Sequence, residues 1–190
     1  MTSTKAMTRA EKARQTRQQL LDVAIRLFAE RGFDATSLQM IADEMGVTKA
    51  AVYYHFRAKT DILLALVEPV HEQLNQLLDA VEAKRSRRDR IETLASGIAD
   101  LGIAQRALVG IAANDPALRV RLKHEAARFD ALNERTVHAV YGPHPTNDER
   151  AAAYLGSGLP DAVVHLGDLD DDTLRATLRR SYIRLLTVRS

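Results

Sequence analysis

The chain has 190 residues, 46% hydrophobic and 27% charged, with 27 Lys and Arg against 25 Asp and Glu and a net charge of +2. It has no cysteine, which excludes disulfides, thiolate catalysis and cysteine-ligated zinc. This length and apolar content suit one compact body, or a small domain on a larger one. No apolar run approaches the ~18 to 20 residues that a membrane span needs, and the opening MTSTKAMTRAEKARQTR is polar and basic, so a cytoplasmic protein with no membrane partner is expected. Charge is uneven: residues 1–60 hold 10 Lys and Arg against 6 Asp and Glu, and residues 61–190 hold 17 against 19. A basic front suits a polyanionic partner.

The pattern is all-α, with apolar residues recurring at helical spacing between Gly, Pro, Asp and Asn punctuation, and about nine helices are predicted. The first runs from about Ala10 to Arg31, buries Leu20, Ala24, Leu27 and Phe28, and stops at Gly32. Next, Leu38, Ile41, Ala42 and Met45 form one stripe of a two-turn helix that Ser37 or Thr36 can cap and Gly46 ends. Thr48 reads as the following N-cap, and Val52 and Phe56 turn the next helix back onto the last while Lys49, Ala51, Tyr53 and His55 point elsewhere. Helix, tight glycine turn, helix over residues 37–56 is helix-turn-helix geometry, whose second helix enters the DNA major groove.

A long fourth helix is predicted from a Thr60 cap, striped by Leu63, Leu66, Val67, Val70, Leu74, Leu77, Leu78 and Val81, with Pro69 kinking it near Asp61 to Glu68. Further helices are predicted at about 90–103, 104–113, 116–141 (with Asp115 capping and Pro116 first), 147–166 and 171–188. The last two carry the stripes Leu155, Leu159, Ala162, Val163, Leu166 and Leu174, Leu178, Tyr182, Leu185, Leu186. These stripes have two readings. Either they form a four-helix interface with a second copy, through Leu155, Leu159, Val163, Leu174, Leu178, Tyr182 and Leu185, or they close the domain's own core.

The run LLDVAIRLFAERGFDATSLQMIADEMGVTKAAVYYHFRAKTDILLAL resembles the DNA-binding domain of the TetR family of bacterial transcriptional regulators. The matching positions are Gly32-Phe33, Thr36-Ser37, Ile41-Ala42, Gly46-Val47, Tyr53-Tyr54-His55-Phe56, Lys59 and Leu63. The resemblance implies a basic flexible arm (1–13), a three-helix DNA-binding domain (14–60), and a helical effector-binding and dimerisation domain (61–190) reached through the long helix. It also implies a homodimer, a palindromic double-stranded DNA operator, repression relieved by a small-molecule effector of unknown identity, and no cofactor or metal. Thr36 or Ser37 would contact phosphate at the second helix's N-terminus. Thr48, Lys49, Ala50 and Ala51 would face bases or phosphates. Lys49 is the candidate for guanine O6 and N7, and the alanines offer only apolar contact, as with a thymine methyl. Tyr53, Tyr54, His55 and Lys59 would donate to phosphates. Each aromatic could instead pack in the core.

Lys5, Arg9, Lys12, Arg14 and Arg17 either follow a minor groove or belong to a frayed terminus. Effector-pocket candidates are polar or aromatic side chains interrupting the apolar stripes: Arg106, Asn114, His124, Phe129, Tyr154 and His165. Two other functions compete. One is a DNA-binding regulator without a ligand, controlled by abundance or a protein partner. The other, an all-α enzyme, finds no His-Glu-x-x-His, phosphate-binding glycine loop, cysteine nucleophile or serine elbow.

Overall fold

The computed structural model describes residues 8–114, 123–157 and 162–187. Among these the secondary structure is all helix: α1 (Arg9–Arg31), α2 (Leu38–Met45), α3 (Lys49–His55), α4 (Lys59–Glu82), α5 (Arg87–Ala104), α6 (Arg106–Asn114), α7 (Lys123–Tyr141), α8 (Asn147–Ser157), α9 (Ala162–His165) and α10 (Asp171–Leu186). Two compact units divide within α4, at Val67 and Glu68.

In the first unit, α1 starts earlier than a frayed arm would allow, because a capping box closes its first turn. The Glu11 amide donates to the Thr8 hydroxyl (3.2 Å) and the Thr8 amide to the Glu11 carboxylate (2.6 Å). Two amides that would otherwise lack partners are thereby satisfied, and residues 9–13 are helix. Beyond them Leu20, Leu21, Ala24, Leu27 and Phe28 are buried. The Phe28 and Phe33 rings pack tilted at 5.0 Å between centroids, and Ile41, Ala42, Val52, Phe56, Ile62 and Leu63 complete the buried set. Ser37 caps α2 by accepting from the Met40 amide (3.1 Å), and Thr48 caps α3 by accepting from the Ala51 amide (3.3 Å). Gly46 ends α2 in the left-handed region, φ 66° and ψ 30°, with its amide on the Ala42 and Asp43 carbonyls. The α2–α3 turn depends on that conformation, which an L side chain enters only at a cost.

The start of α4 differs from the sequence reading. The helix begins at Lys59, so Thr60 lies inside its first turn, and Asp61 accepts from the Arg57 and Ala58 amides at 3.0 and 2.9 Å. Pro69 lies within the continuous run Lys59–Glu82.

In the second unit, α5 packs along α10, and α8 lies against both α7 and α10. One core cluster gathers Leu78, Val81, Leu94, Val140, Tyr182 and Leu186, and another Ala99, Val163, Leu174 and Leu178. Gly156 makes room for Tyr182, since a Cβ there would lie 3.2 Å from the tyrosine ring. These contacts favour the self-closing reading of the last two stripes, since Val163, Leu174, Leu178 and Tyr182 are buried in the chain's own core. Of the proposed interface set, Leu155 is 68% exposed and Leu185 half-buried. Leu159, like Asp115 and Pro116, lies outside the described residues. The predicted 147–166 helix is present as α8 and the one-turn α9.

No atom stands within 4 Å of the position a Cβ would take at Gly46, so substitution there tests backbone conformation alone. Gly46→Val is expected to lower unfolding free energy by about 1–2 kcal/mol, and Gly46→Asn by clearly less, in urea denaturation. Equal losses for the two variants would mean that the left-handed turn is not what strains them.

Candidate nucleic-acid interface

The recognition surface is built by what α3 hides. Val52 is fully buried and Phe56, at its C-cap, is 4% exposed, so the side chains between them turn outward. Tyr54 is 80% and Tyr53 45% exposed, which removes the core-aromatic reading for both. Thr48, Lys49 and Ala50 are exposed, and Ala51 and His55 half-buried. The Lys49 ammonium sits 5.6 Å above the Tyr53 ring centroid, and the His55 ring meets Tyr54 edge-on at 5.1 Å. Away from its Val52 and Phe56 side, α3 therefore leaves two phenols, a cation, an imidazole and two methyl groups at least partly exposed. Hydroxyls and cations suit phosphate oxygens, a lysine can also reach guanine acceptors, and the alanine methyls suit an apolar base edge.

Two of the predicted contacts turn inward. Thr36 is 1% exposed, and its hydroxyl donates to the carbonyls of Gly32 (2.9 Å) and Leu27 (3.3 Å). It locks the α1–α2 turn, leaving Ser37 as the exposed hydroxyl at the start of α2. The Lys59 ammonium donates to the carbonyls of Phe33 (2.6 Å) and Asp34 (3.0 Å) and lies 4.7 Å from the Phe33 ring centroid. A lysine bound to two carbonyls holds the turn in place, a positioning role where a phosphate contact was expected.

The candidate pocket residues engage different partners. Arg106 pairs with Asp171 at 2.6 Å, Phe129 stacks on His71 at 4.2 Å, Tyr154 donates to Glu134, and His165 is exposed. The side chains of Asn114 and His124 lie outside the described part of the structure. A shallow open groove of about 420 Å³ is lined instead by Gln73, Gln76, Leu77, Gly97, Asp100, Leu101 and Ala104. Sequence reasoning also missed a polar cluster in which buried His71 meets Glu125 at 2.8 Å and Arg128 joins Glu125 to Glu68. Hydrogen bonds from Arg128 hold the Glu68 carboxyl below its usual range. The His71–Glu125 and Arg128–Glu68 pairs join residues 54 and 60 positions apart, which no local spacing announces.

The α1–α2 turn offers a direct test of the inward-facing donors. Thr36→Val, close to isosteric, removes a buried hydroxyl bonded to two carbonyls and should cost about 1–2 kcal/mol in urea unfolding, and Lys59→Met about 1 kcal/mol. Wild-type stability in both variants would contradict the lock.

Comparison with known proteins bears on the same segment. Residues 20–66 match the model of "Bacterial regulatory proteins, tetR family". The chain is 40% identical over 74 residues to the HTH-type transcriptional regulator AcrR of Shigella flexneri, a match covering 39% of this chain and 34% of that protein. The matched stretch thus spans about a third of such relatives' length. A TetR-like transcriptional regulator from Rhodococcus sp. RHA1 superposes with TM-score 0.72 at 21% identity, covering 97% of this chain and all of that one. The SmeT–triclosan complex superposes with TM-score 0.65 at 24% identity, covering 90% and 88%. At such identities the likeness speaks for the fold, and the all-helical architecture is shared along the chain's length. Residues 20–66, and the three-helix fold they build, are thus similar to the tetR family of bacterial regulatory proteins.

Proposed function

We propose that the chain is a DNA-binding transcriptional regulator: a repressor that binds a palindromic operator as a homodimer and is released by a small molecule bound within residues 68–190. The observation that carries the reading is the outward front of α3, where Thr48, Lys49, Ala50, Tyr53 and Tyr54 stand exposed beside a glycine-closed turn. A dimer would place two such helices in successive major grooves, about 34–36 Å apart. Leu155, exposed on α8, is the apolar side chain that this dimer would cover. Support for a small-molecule effector comes from the structural neighbour SmeT, whose complex holds triclosan. Release requires the effector to favour the state that binds DNA poorly, and a coupling of ~1–3 kcal/mol changes affinity ~5- to 150-fold.

DNase protection across the DNA flanking the gene that encodes the chain tests the reading. One protected region with dyad symmetry is expected, and absence of any protected region contradicts it. Within that region Lys49→Ala should lower affinity by about 1–3 kcal/mol and relax preference at one base pair. Unchanged affinity and base preference would remove Lys49 from the readout set.

A further inference from the structure

Lys49 and Tyr53 stand one helical turn apart on α3, at i and i+4, a spacing at which two side chains share a face. A long side chain on a helix leans toward the helix's start, so the Tyr53 ring lies back over the turn that carries Lys49. The Lys49 ammonium is 5.6 Å from the Tyr53 ring centroid, inside the ~6 Å at which a ring face attracts a cation. Among the described residues no carboxylate pairs with Lys49, whereas Arg26 on α1 is held by Glu44 and Glu30. Tyr54 has other surroundings: its ring meets His55 edge-on and is more exposed than that of Tyr53.

A lysine ammonium sits on a flexible four-carbon stem, and bringing it to the O6 and N7 acceptors of a guanine costs rotamer freedom. A ring face beneath the ammonium narrows the directions open to it before DNA arrives, which lowers that cost. The backbone under both side chains is already fixed, because Val52 and Phe56 are buried and anchor α3. At an exposed site a contact of this kind favours the held arrangement about 2- to 5-fold. The attraction comes from the ring and needs no hydroxyl, so the Tyr53 phenol can still donate to a phosphate.

We propose that Tyr53 is a positioning residue for base readout: its ring holds the Lys49 ammonium where it meets a guanine edge, so preference at one base pair depends on an aromatic side chain at position 53. The inference rests on the DNA-binding reading above and on Lys49 as a reading residue. It divides one side chain into two parts. The Tyr53 hydroxyl serves affinity for any sequence through phosphate, and the ring serves the choice of sequence through Lys49.

The test uses the full chain and a duplex library randomised over about 20 base pairs, enough for two half-sites one helical turn apart. Bound duplexes are selected and sequenced for the parent, Lys49→Ala, Tyr53→Phe, Tyr53→Leu and the double variant Lys49→Ala, Tyr53→Leu. Circular dichroism and thermal melting check that each keeps its helices, and Tyr53→Gln replaces Tyr53→Leu if the latter does not. Lys49→Ala should lose a guanine preference at one base pair. Tyr53→Leu should lower the preference at that same base pair about 2- to 5-fold. Tyr53→Phe should keep it, whatever its overall affinity, and Tyr53→Leu should change it no further once Lys49 is alanine. Parental preference at that base pair in Tyr53→Leu overturns the inference and leaves the DNA-binding reading standing. Equal losses in Tyr53→Phe and Tyr53→Leu do the same, since they assign the effect to the hydroxyl. Lys49→Ala selecting the parent's sequences removes Lys49 from the readout set and overturns the inference with it. A parent that selects no sequence overturns both readings.

Discussion

The first unit depends on how the turn between α1 and α2 is held. Backbone carbonyls at the end of a helix need donors, and here Thr36 supplies its hydroxyl to Leu27 and Gly32 while Lys59 supplies its ammonium to Phe33 and Asp34. The same turn buries Phe33 against Phe28. Once it is fixed, the entry to α2 is fixed, Ser37 caps it, and Gly46 sets the direction in which α3 leaves. Val52 and Phe56 then anchor the inner side of α3, so its outer side has little freedom in where it points. A preset surface loses less entropy on meeting a partner than one that must be assembled.

Charge is used differently in the two units. Within residues 68–190 many cations serve structure: Arg135 binds Asp79 and Glu82, Arg128 binds Glu68 and Glu125, and Arg175 binds Asp100 and Asp172. Arg135 is held further toward its charged form by those hydrogen bonds. In the first unit Arg26 pairs with Glu44 and Glu30, and Lys59 serves the turn. Arg9, Lys12, Arg14, Arg17 and Lys49 have no carboxylate partner among the described residues. A small overall charge of +2 thus conceals a front whose positive charge remains available.

Local pattern carried the helices, the glycine stop at Gly46, and the caps at Ser37 and Thr48, because each depends on residues within a few positions. It carried the outward face of α3 for the same reason: Val52 and Phe56 assign one side to the core and leave Lys49 and Tyr53 on another. The carbonyl partners of Thr36 and Lys59 lie elsewhere in the chain and no local pattern shows them, since a hydroxyl or an ammonium suits a carbonyl as well as a phosphate. Lys59 meets its carbonyls 25 and 26 residues away. Periodicity alone also left the α10 stripe open between self-closure and a partner, and the packing of Leu174, Leu178 and Tyr182 decided it. The helical start of α1, expected at about Ala10 and found at Arg9, is likewise set locally, by the Thr8-x-x-Glu11 capping box.

A preset first unit would meet DNA through the outer side of α3 and the exposed Ser37 end of α2. Backbone amide chemical shifts, followed by NMR as a mixed-sequence duplex is added, test it most directly. Perturbations are expected at residues 37–40 and 48–55, with the buried Thr36 lock unshaken. Perturbations centred on residues 68–187, or none at either segment while the duplex binds, would contradict it.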